Sequence, residues 1–188
     1  MKNNKIFIIT GPSGVGKGTI IEALRKMPDL KLAWAKSYTT RNERESDKDE
    51  QKYIFVDENE FKALEKNGEI FESNFFNNHW YGSSKSEIEK ALKKGQNIIK
   101  DIDVNGGSYY KKTFADAVLI FIKADLADIK HRLICRGQNT PEEIEDRLET
   151  AKKEMTFENR YNYSVINVEG HPEKAIEKTR NIIQKEIS

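Results

Sequence analysis

Short apolar runs alternating with longer amphipathic stretches predict an α/β fold, a parallel sheet flanked by helices, with a smaller sheet inserted into it. Three observations carry this prediction. Residues 5–10, 97–101, 117–122 and 163–167 are nearly continuously apolar, as strands buried on both faces should be. Helical patterns fill 17–26, 105–113, 126–135, 141–158 and 173–185, so strand and helix take turns along the chain. Residues 34–95 break that rhythm. There, Lys52-Tyr-Ile-Phe-Val56 and Glu69-Ile-Phe-Glu-Ser-Asn-Phe-Phe76 alternate or are rich in aromatics, which suits a small half-exposed sheet.

Taken in order, the first strand follows Met1-Lys-Asn-Asn-Lys5, a basic start, but Ile6-Phe-Ile-Ile9 is shorter than the roughly 7–15 apolar residues of a secretory signal. Inside the insertion a helix over 58–67 has Asp57 as N-cap and Glu60 in the capping-box position, and a second follows Ser84 with Glu87 placed likewise. Each ends at a glycine, Gly68 and Gly95. The polar runs 42–52 and 137–145 are too hydrophilic to pack and are expected as mobile loops.

The 188 residues suit one folding unit. Lys plus Arg number 32 and Asp plus Glu 31, so a net charge of +1 gives no bulk attraction to nucleic acid or an anionic membrane. An anion bound here must be met by local geometry. Nine Phe, seven Tyr and two Trp supply enough bulk for a core and exclude global disorder. The lone Cys135 cannot form an internal disulfide, which fits a reducing compartment, so a cytoplasmic protein is expected. The longest apolar run, Ala117-Val-Leu-Ile-Phe-Ile122, is six residues against the roughly 18–20 needed to span a bilayer.

Gly11-Pro-Ser-Gly-Val-Gly-Lys-Gly-Thr19 lies between a buried strand and a helix. Glycines at 11, 14 and 16 allow backbone N–H groups to turn inward on a phosphate chain, the helix dipole adds positive potential, and Lys17 supplies a mobile point charge. This is a phosphate-binding loop. Position 18, where such loops usually place a Ser or Thr that ligates Mg²⁺, is Gly18, with Thr19 following. Mg²⁺ is therefore expected to rest on nucleotide phosphates and water-mediated acidic contacts.

A phosphate loop specifies a nucleotide but no reaction. Downstream, Ser37-Tyr-Thr-Thr-Arg41, Arg44, Tyr53, Glu69-Ile-Phe-Glu72, Trp80-Tyr-Gly-Ser-Ser84, Ile102-Asp-Val-Asn-Gly106 and Arg132-Leu-Ile-Cys-Arg-Gly137 follow in the order and spacing of guanylate kinases, and the chain resembles that family from about residue 5 to 180. The resemblance implies a P-loop kinase fold and ATP-dependent phosphorylation of GMP or dGMP, with Mg²⁺. It also implies three portions: a core of about 1–33, 96–134 and 148–188, a GMP-binding subdomain of about 34–95, and a lid of about 135–147. By the same resemblance Arg41, Arg44, Tyr53 and Tyr81 clamp the acceptor phosphate, while Ser37, Glu72, Ser83 and Asp103 read guanine. Gly11, Pro12, Ser13, Gly14, Val15, Gly16, Lys17, Gly18 and Thr19 hold ATP with Arg132, Arg136 and Asn167, and Lys17, Arg41, Arg132, Arg136 and Arg147 serve the transfer.

The chemistry is consistent with those roles. Moving a phosphoryl group between two polyanions needs cations and in-line geometry rather than a general base, because the attacking phosphate oxygen is already ionised. A carboxylate at Glu72 can accept from both N1–H and the 2-amino group of guanine, whereas adenine presents a bare N1 acceptor there. Arg41 and Arg44 are forked cations suited to phosphate, and Arg132, Arg136 and Arg147 flank a polar loop that would let them swing onto phosphates as a lid closes. Asp101 and Asp103 end a strand at the carboxyl edge of the sheet, Asp101 suiting a contact to Mg²⁺ through water or the orienting of an arginine.

The chain departs from the family where Arg41-Asn-Glu-Arg-Glu-Ser-Asp47 lacks the usual Pro and Gly, and where Asn105 replaces a Gln. Two other readings stay open from the sequence: a non-catalytic guanylate-kinase-like interaction module, and a P-loop kinase for another small phosphate ester. Monomer and homodimer are equally compatible with it.

Overall fold

The computed structural model describes residues 4–45, 47, 52–76, 78–104, 106–137 and 139–188. Among these, β1 (Ile6–Thr10), β2 (Leu32–Ala33), β7 (Asn97–Asp101), β8 (Val118–Lys123) and β9 (Tyr163–Ile166) form a parallel sheet in the order β2-β7-β1-β8-β9. The α/β class is thus as expected. The two-residue β2 is new; at that length no periodicity can announce it, and it exists because Leu32 and Ala33 pair with Asn97 and Ile98.

Both faces of this sheet are covered, which is why its strands read as unbroken apolar runs. Phe7 and Ile9 of β1 pack with Ile20 and Leu24 of α1 (Lys17–Arg25), Leu133 of α5 (Leu126–Arg136), Leu148 of α6 (Pro141–Met155) and Ile183 of α7 (Pro172–Ile187). Ile6 and Ile8 point to the opposite face, against Ile88 of α3 (Lys85–Lys93) and Tyr110 of α4 (Gly107–Thr113).

The second sheet is mixed, in the order β4-β3-β6-β5, from β3 (Ser37–Thr39), β4 (Tyr53–Phe55), β5 (Ile70–Phe76) and β6 (His79–Ser84). Antiparallel pairing of β3 with β6 sets Ser37 opposite Ser83 and Thr39 opposite Tyr81, while β4 runs parallel to β3 with Tyr53 opposite Ser37. Helix α2 (Glu58–Lys66) supports the sheet, with Asp57 accepting from the Glu60 N–H as its N-cap, and Ser84 caps α3 from Glu87 in the same way.

Several boundaries differ from the sequence reading. The polar run 137–145 overlaps the helical pattern over 141–158, and Pro141 begins α6 as that pattern predicts, with Thr140 and Glu143 forming a reciprocal capping box that satisfies the N–H groups of both residues. That helix stops at Met155, before a short 3₁₀ turn at Glu158–Arg160. Helix α4 starts at Gly107; the expected start at Asn105 lies outside the described residues, as do 46, 48–51 of the 42–52 run and Gln138. No helix among the described residues is long and apolar enough to cross a membrane.

Candidate functional site

The glycine-rich loop leaves β1 at Thr10, whose hydroxyl donates to the Ile102 carbonyl at 3.0 Å and so ties this corner to the end of β7. Gly11, Gly14 and Gly16 then take φ of 147°, 85° and 95°, the left-handed region that only glycine enters freely. Space is equally restrictive, since a Cβ on Gly11 would stand 2.0 Å from the Ile122 carbonyl oxygen, whereas one on Gly18, in the first turn of α1, meets nothing within 4 Å. Gly11→Ala is therefore expected to cost at least about 3 kcal/mol of stability, and Gly18→Ala to be neutral or mildly stabilising, read as urea midpoints on the two variants.

The ammonium of Lys17 donates to the carbonyls of Gly11 at 2.7 Å and Pro12 at 3.2 Å and lies 4.0 Å from the Asp101 carboxylate. Partial desolvation raises the Asp101 carboxyl from its ordinary value, with Lys17 opposing the shift. On the far side of the loop, the Val15 carbonyl accepts from Asn167 Nδ2 at 2.8 Å and from Arg132 Nη1 at 2.9 Å. Arg132 also donates to the Asn167 carbonyl at 2.9 Å and to Glu169. Its guanidinium is thus held between the loop and the end of β9, by contacts that the sequence does not announce. Nothing in the spacing of helical arginines betrays the partner Glu169, which comes from the connection between β9 and α7. Arg147 does reach the loop, donating to Ser13 Oγ at 3.1 Å. Arg136 lines a cleft of about 440 Å³ with Gly16, Thr19, Arg132 and Asn167. Asn167 is buried, and its Oδ1 has no hydrogen-bond partner among the described residues.

Across the carboxyl edge of the main sheet a second cleft, of about 480 Å³, is lined by Ser37, Tyr53, Glu72, Tyr81, Ser83, Asp101 and Asp103 together. Sequence positions spread over 67 residues meet here because β3, β4, β5 and β6 fold over the end of β7. Ser83 Oγ–H donates to Glu72 Oε2 at 2.8 Å, and burial raises the Glu72 carboxyl from its ordinary value against the pull of that bond and of Lys100. Gly106 leaves room for that carboxylate: a Cβ there would fall 2.9 Å from Glu72 Oε1. Asp103 accepts from Asn74 Nδ2 at 2.6 Å and from the Gly106 N–H at 2.8 Å.

Arg41 lies beside this cleft, buried, with its guanidinium bidentate to Asp47 at 2.8 and 2.9 Å and stacked over Tyr53 and Phe55. That pairing holds the Asp47 carboxyl down at about 2, helped by the Arg44 N–H at 2.7 Å. The Arg44 side chain is exposed. Tyr53 and Tyr81 meet edge to face with ring centroids 5.9 Å apart.

Sequence reasoning passed over Trp34, Lys52, Asn74, Asp47, Lys100 and Tyr110, which line the cleft or hold its walls. Asn74 was findable, since it shares a strand face with Glu72. Lys100 had the plainest signal: a lysine inside a strand buried on both faces needs partners. It is almost wholly buried, its Nζ donating to Ser37 Oγ at 2.9 Å and Ser83 Oγ at 3.2 Å, and desolvation lowers its ammonium from 10.5 to about 8 against the attraction of Glu72.

Residues 3–186 match the family profile described as guanylate kinase. A curated guanylate kinase of Helicobacter pylori is 41% identical over 180 residues, covering 95% of this chain and 84% of its own, and one of Clostridium perfringens is 37% identical over 188 residues, covering 98% and 86%. The crystal structure of guanylate kinase from Anaplasma phagocytophilum superposes with a TM-score of 0.74 at 26% identity, over 98% of this chain and 87% of that one. A phosphate loop with all its glycines in place, an acidic cleft facing it across the sheet edge, and relatives that match nearly the whole of this chain agree: this chain belongs to the guanylate kinase family.

Proposed function

We propose that the protein transfers the γ-phosphoryl group of ATP to GMP or dGMP, giving ADP and GDP or dGDP. The observation that carries this reading is the second cleft, which gathers two serines, two tyrosines, Glu72 and Asp103 within reach of the Lys17 loop. In it Glu72 is the acceptor for N1–H and the 2-amino group, Ser37 and Ser83 flank that carboxylate, and Tyr53, Tyr81, Arg41 and Arg44 take the acceptor phosphate. The backbone N–H groups of residues 11–19 cradle the donor phosphates, Lys17 neutralises charge between donor and acceptor, and Arg136 and Arg147 approach from the lid side. Arg132 braces the loop at Val15. Asn167 Oδ1, a buried acceptor, suits the exocyclic amine of adenine.

A hydrogen-bonded carboxylate pair is not required to activate the nucleophile, because a phosphate oxygen is its own base. Mg²⁺ fits as a nucleotide-borne ion that screens the phosphates: no cluster of three acidic, His or Cys side chains among the described residues could cage it, and Asp101, partly exposed beside Lys17, suits an outer contact through water. We further infer that residues 34–95 act as the acceptor-binding portion and 135–147 as a lid, and that the protein works in the cytoplasm on small nucleotides rather than nucleic acid.

Incubation with ATP, Mg²⁺ and a panel of GMP, dGMP, AMP, CMP, UMP and sugar phosphates, followed as ADP formation, tests the assignment. GMP and dGMP are expected to lead by at least about 100-fold in kcat/KM. A preference for any other acceptor would overturn it, and no turnover with any acceptor would favour an interaction module.

A further inference from the structure

Lys100 enters the second cleft from behind. It belongs to β7, a core strand paired with β1 at Ile8, yet its ammonium bonds to hydroxyls on two strands of the smaller sheet, Ser37 of β3 and Ser83 of β6. An ammonium only donates, so each serine it touches must spend a lone pair on it. At Ser83 every valence is accounted for: Oγ accepts from Lys100 at 3.2 Å and from the Tyr110 hydroxyl at 2.7 Å, and its single proton goes to Glu72 at 2.8 Å. Both lone pairs and the proton are used, and the bond to Glu72 can run in only one direction.

Ser37 is the open end of the same chain. Its Oγ accepts from Lys100 at 2.9 Å, lines the cleft, and donates to no described residue. A serine hydroxyl is otherwise ambidextrous and would accept from an amino group as readily as it would donate to a carbonyl. With a donor-only cation on one lone pair, the hydroxyl dipole is biased to present its proton to the cleft.

We propose that Lys100 is a specificity-determining positioning residue, which sets Ser37 as donor and Glu72 as acceptor so that the cleft takes a 6-oxo, 2-amino purine edge and rejects a 6-amino one. This rests on the reading that the cleft holds the acceptor nucleotide. The base is then read by a polar chain whose direction is imposed from the core: ammonium to hydroxyl to the 6-position on one branch, ammonium and phenol to hydroxyl to carboxylate on the other.

The test compares the wild type with Lys100→Met, which keeps the length of the side chain and removes the charge. GMP, AMP and 6-thio-GMP are the acceptors; the last keeps N1–H and the 2-amino group and weakens only the acceptor at position 6. For Lys100→Met, KM for GMP should rise about 10–100-fold, the GMP-over-AMP ratio should fall at least about tenfold, and the GMP-over-6-thio-GMP ratio should approach one, with KM for ATP and kcat within about threefold. Unchanged ratios, or an equal rise in KM for ATP as a merely structural role would give, overturn the proposal. Because Met leaves the Glu72 charge buried without its cation, Lys100→Met/Glu72→Gln provides a second comparison. Against Glu72→Gln alone, the double variant should lose the remaining discrimination between GMP and 6-thio-GMP; equal discrimination in the two refutes the role of Lys100. A wild type that ignores GMP would sink the acceptor assignment itself, whereas a GMP-specific wild type matched by an equally specific Lys100→Met would sink only this inference.

Discussion

Lys17→Ala should lower turnover about 100–1,000-fold while leaving the fold intact. A preorganised cation removed from the position where phosphoryl charge develops costs that much, and the other cations near the loop among the described residues are placed elsewhere: Arg132 on Val15, Asn167 and Glu169, Arg147 at Ser13, and Arg136 in the cleft with Gly16 and Thr19. The folding cost should be small, on the order of 1 kcal/mol, because among the described residues the ammonium makes two hydrogen bonds, to the carbonyls of Gly11 and Pro12, and a long ion pair of 4.0 Å to the partly exposed Asp101, all at a loop that water can reach. ADP formation at saturating ATP and GMP, alongside a thermal melt, separates the two effects. Near-normal turnover would contradict the assignment of the loop. Lys17→Arg should not rescue, since a broad planar fork cannot take the place of a compact charge folded onto two adjacent carbonyls.

The second large effect is expected at Glu72. Glu72→Gln keeps the shape but replaces one acceptor oxygen by a donor, so the N1–H and 2-amino group of guanine can no longer both be satisfied. A fall of about 100-fold in kcat/KM for GMP, with AMP little changed, is the expected result from steady-state assays of the two acceptors. Stability should also drop, because Lys100 loses the carboxylate that offsets its desolvation and becomes a buried cation held only by hydroxyls. Undiminished selectivity against AMP would mean that another residue reads the base.

The contrast between what was readable in advance and what was not follows from the range of the forces involved. The core strands and their helices were legible because burial on both faces writes itself as continuous apolar runs, and the caps at Asp57 and Ser84 because their partners lie three residues away. The phosphate loop was legible for the same reason: its glycines, its lysine and its helix are contiguous. The bonds of Arg132 were not legible because its partners, Val15, Asn167 and Glu169, are remote in sequence, and no local spacing encodes them. The Arg41–Asp47 pair, six residues apart, was within reach, but a carboxylate in a polar loop looks solvated until its guanidinium is found buried between Tyr53 and Phe55. Lys100 was visible as an oddity in β7, yet the serines that justify it come from strands whose register depends on the whole smaller sheet.

The clasp on the Val15 carbonyl also dictates when in the life of the chain the loop is finished. Its two donors lie 117 and 152 residues downstream, so the glycine loop, among the first segments made, waits for nearly the entire polypeptide before its carbonyl is tied down. At about 5–20 residues per second of synthesis, the interval between Val15 and Asn167 is roughly 8–30 s. During that time β1 has neither of its sheet neighbours at first, then gains β7 and β8, and only last acquires the β9 edge that carries Asn167. A nascent chain of this protein thus cannot complete the clasp on its glycine loop until β9 is in place.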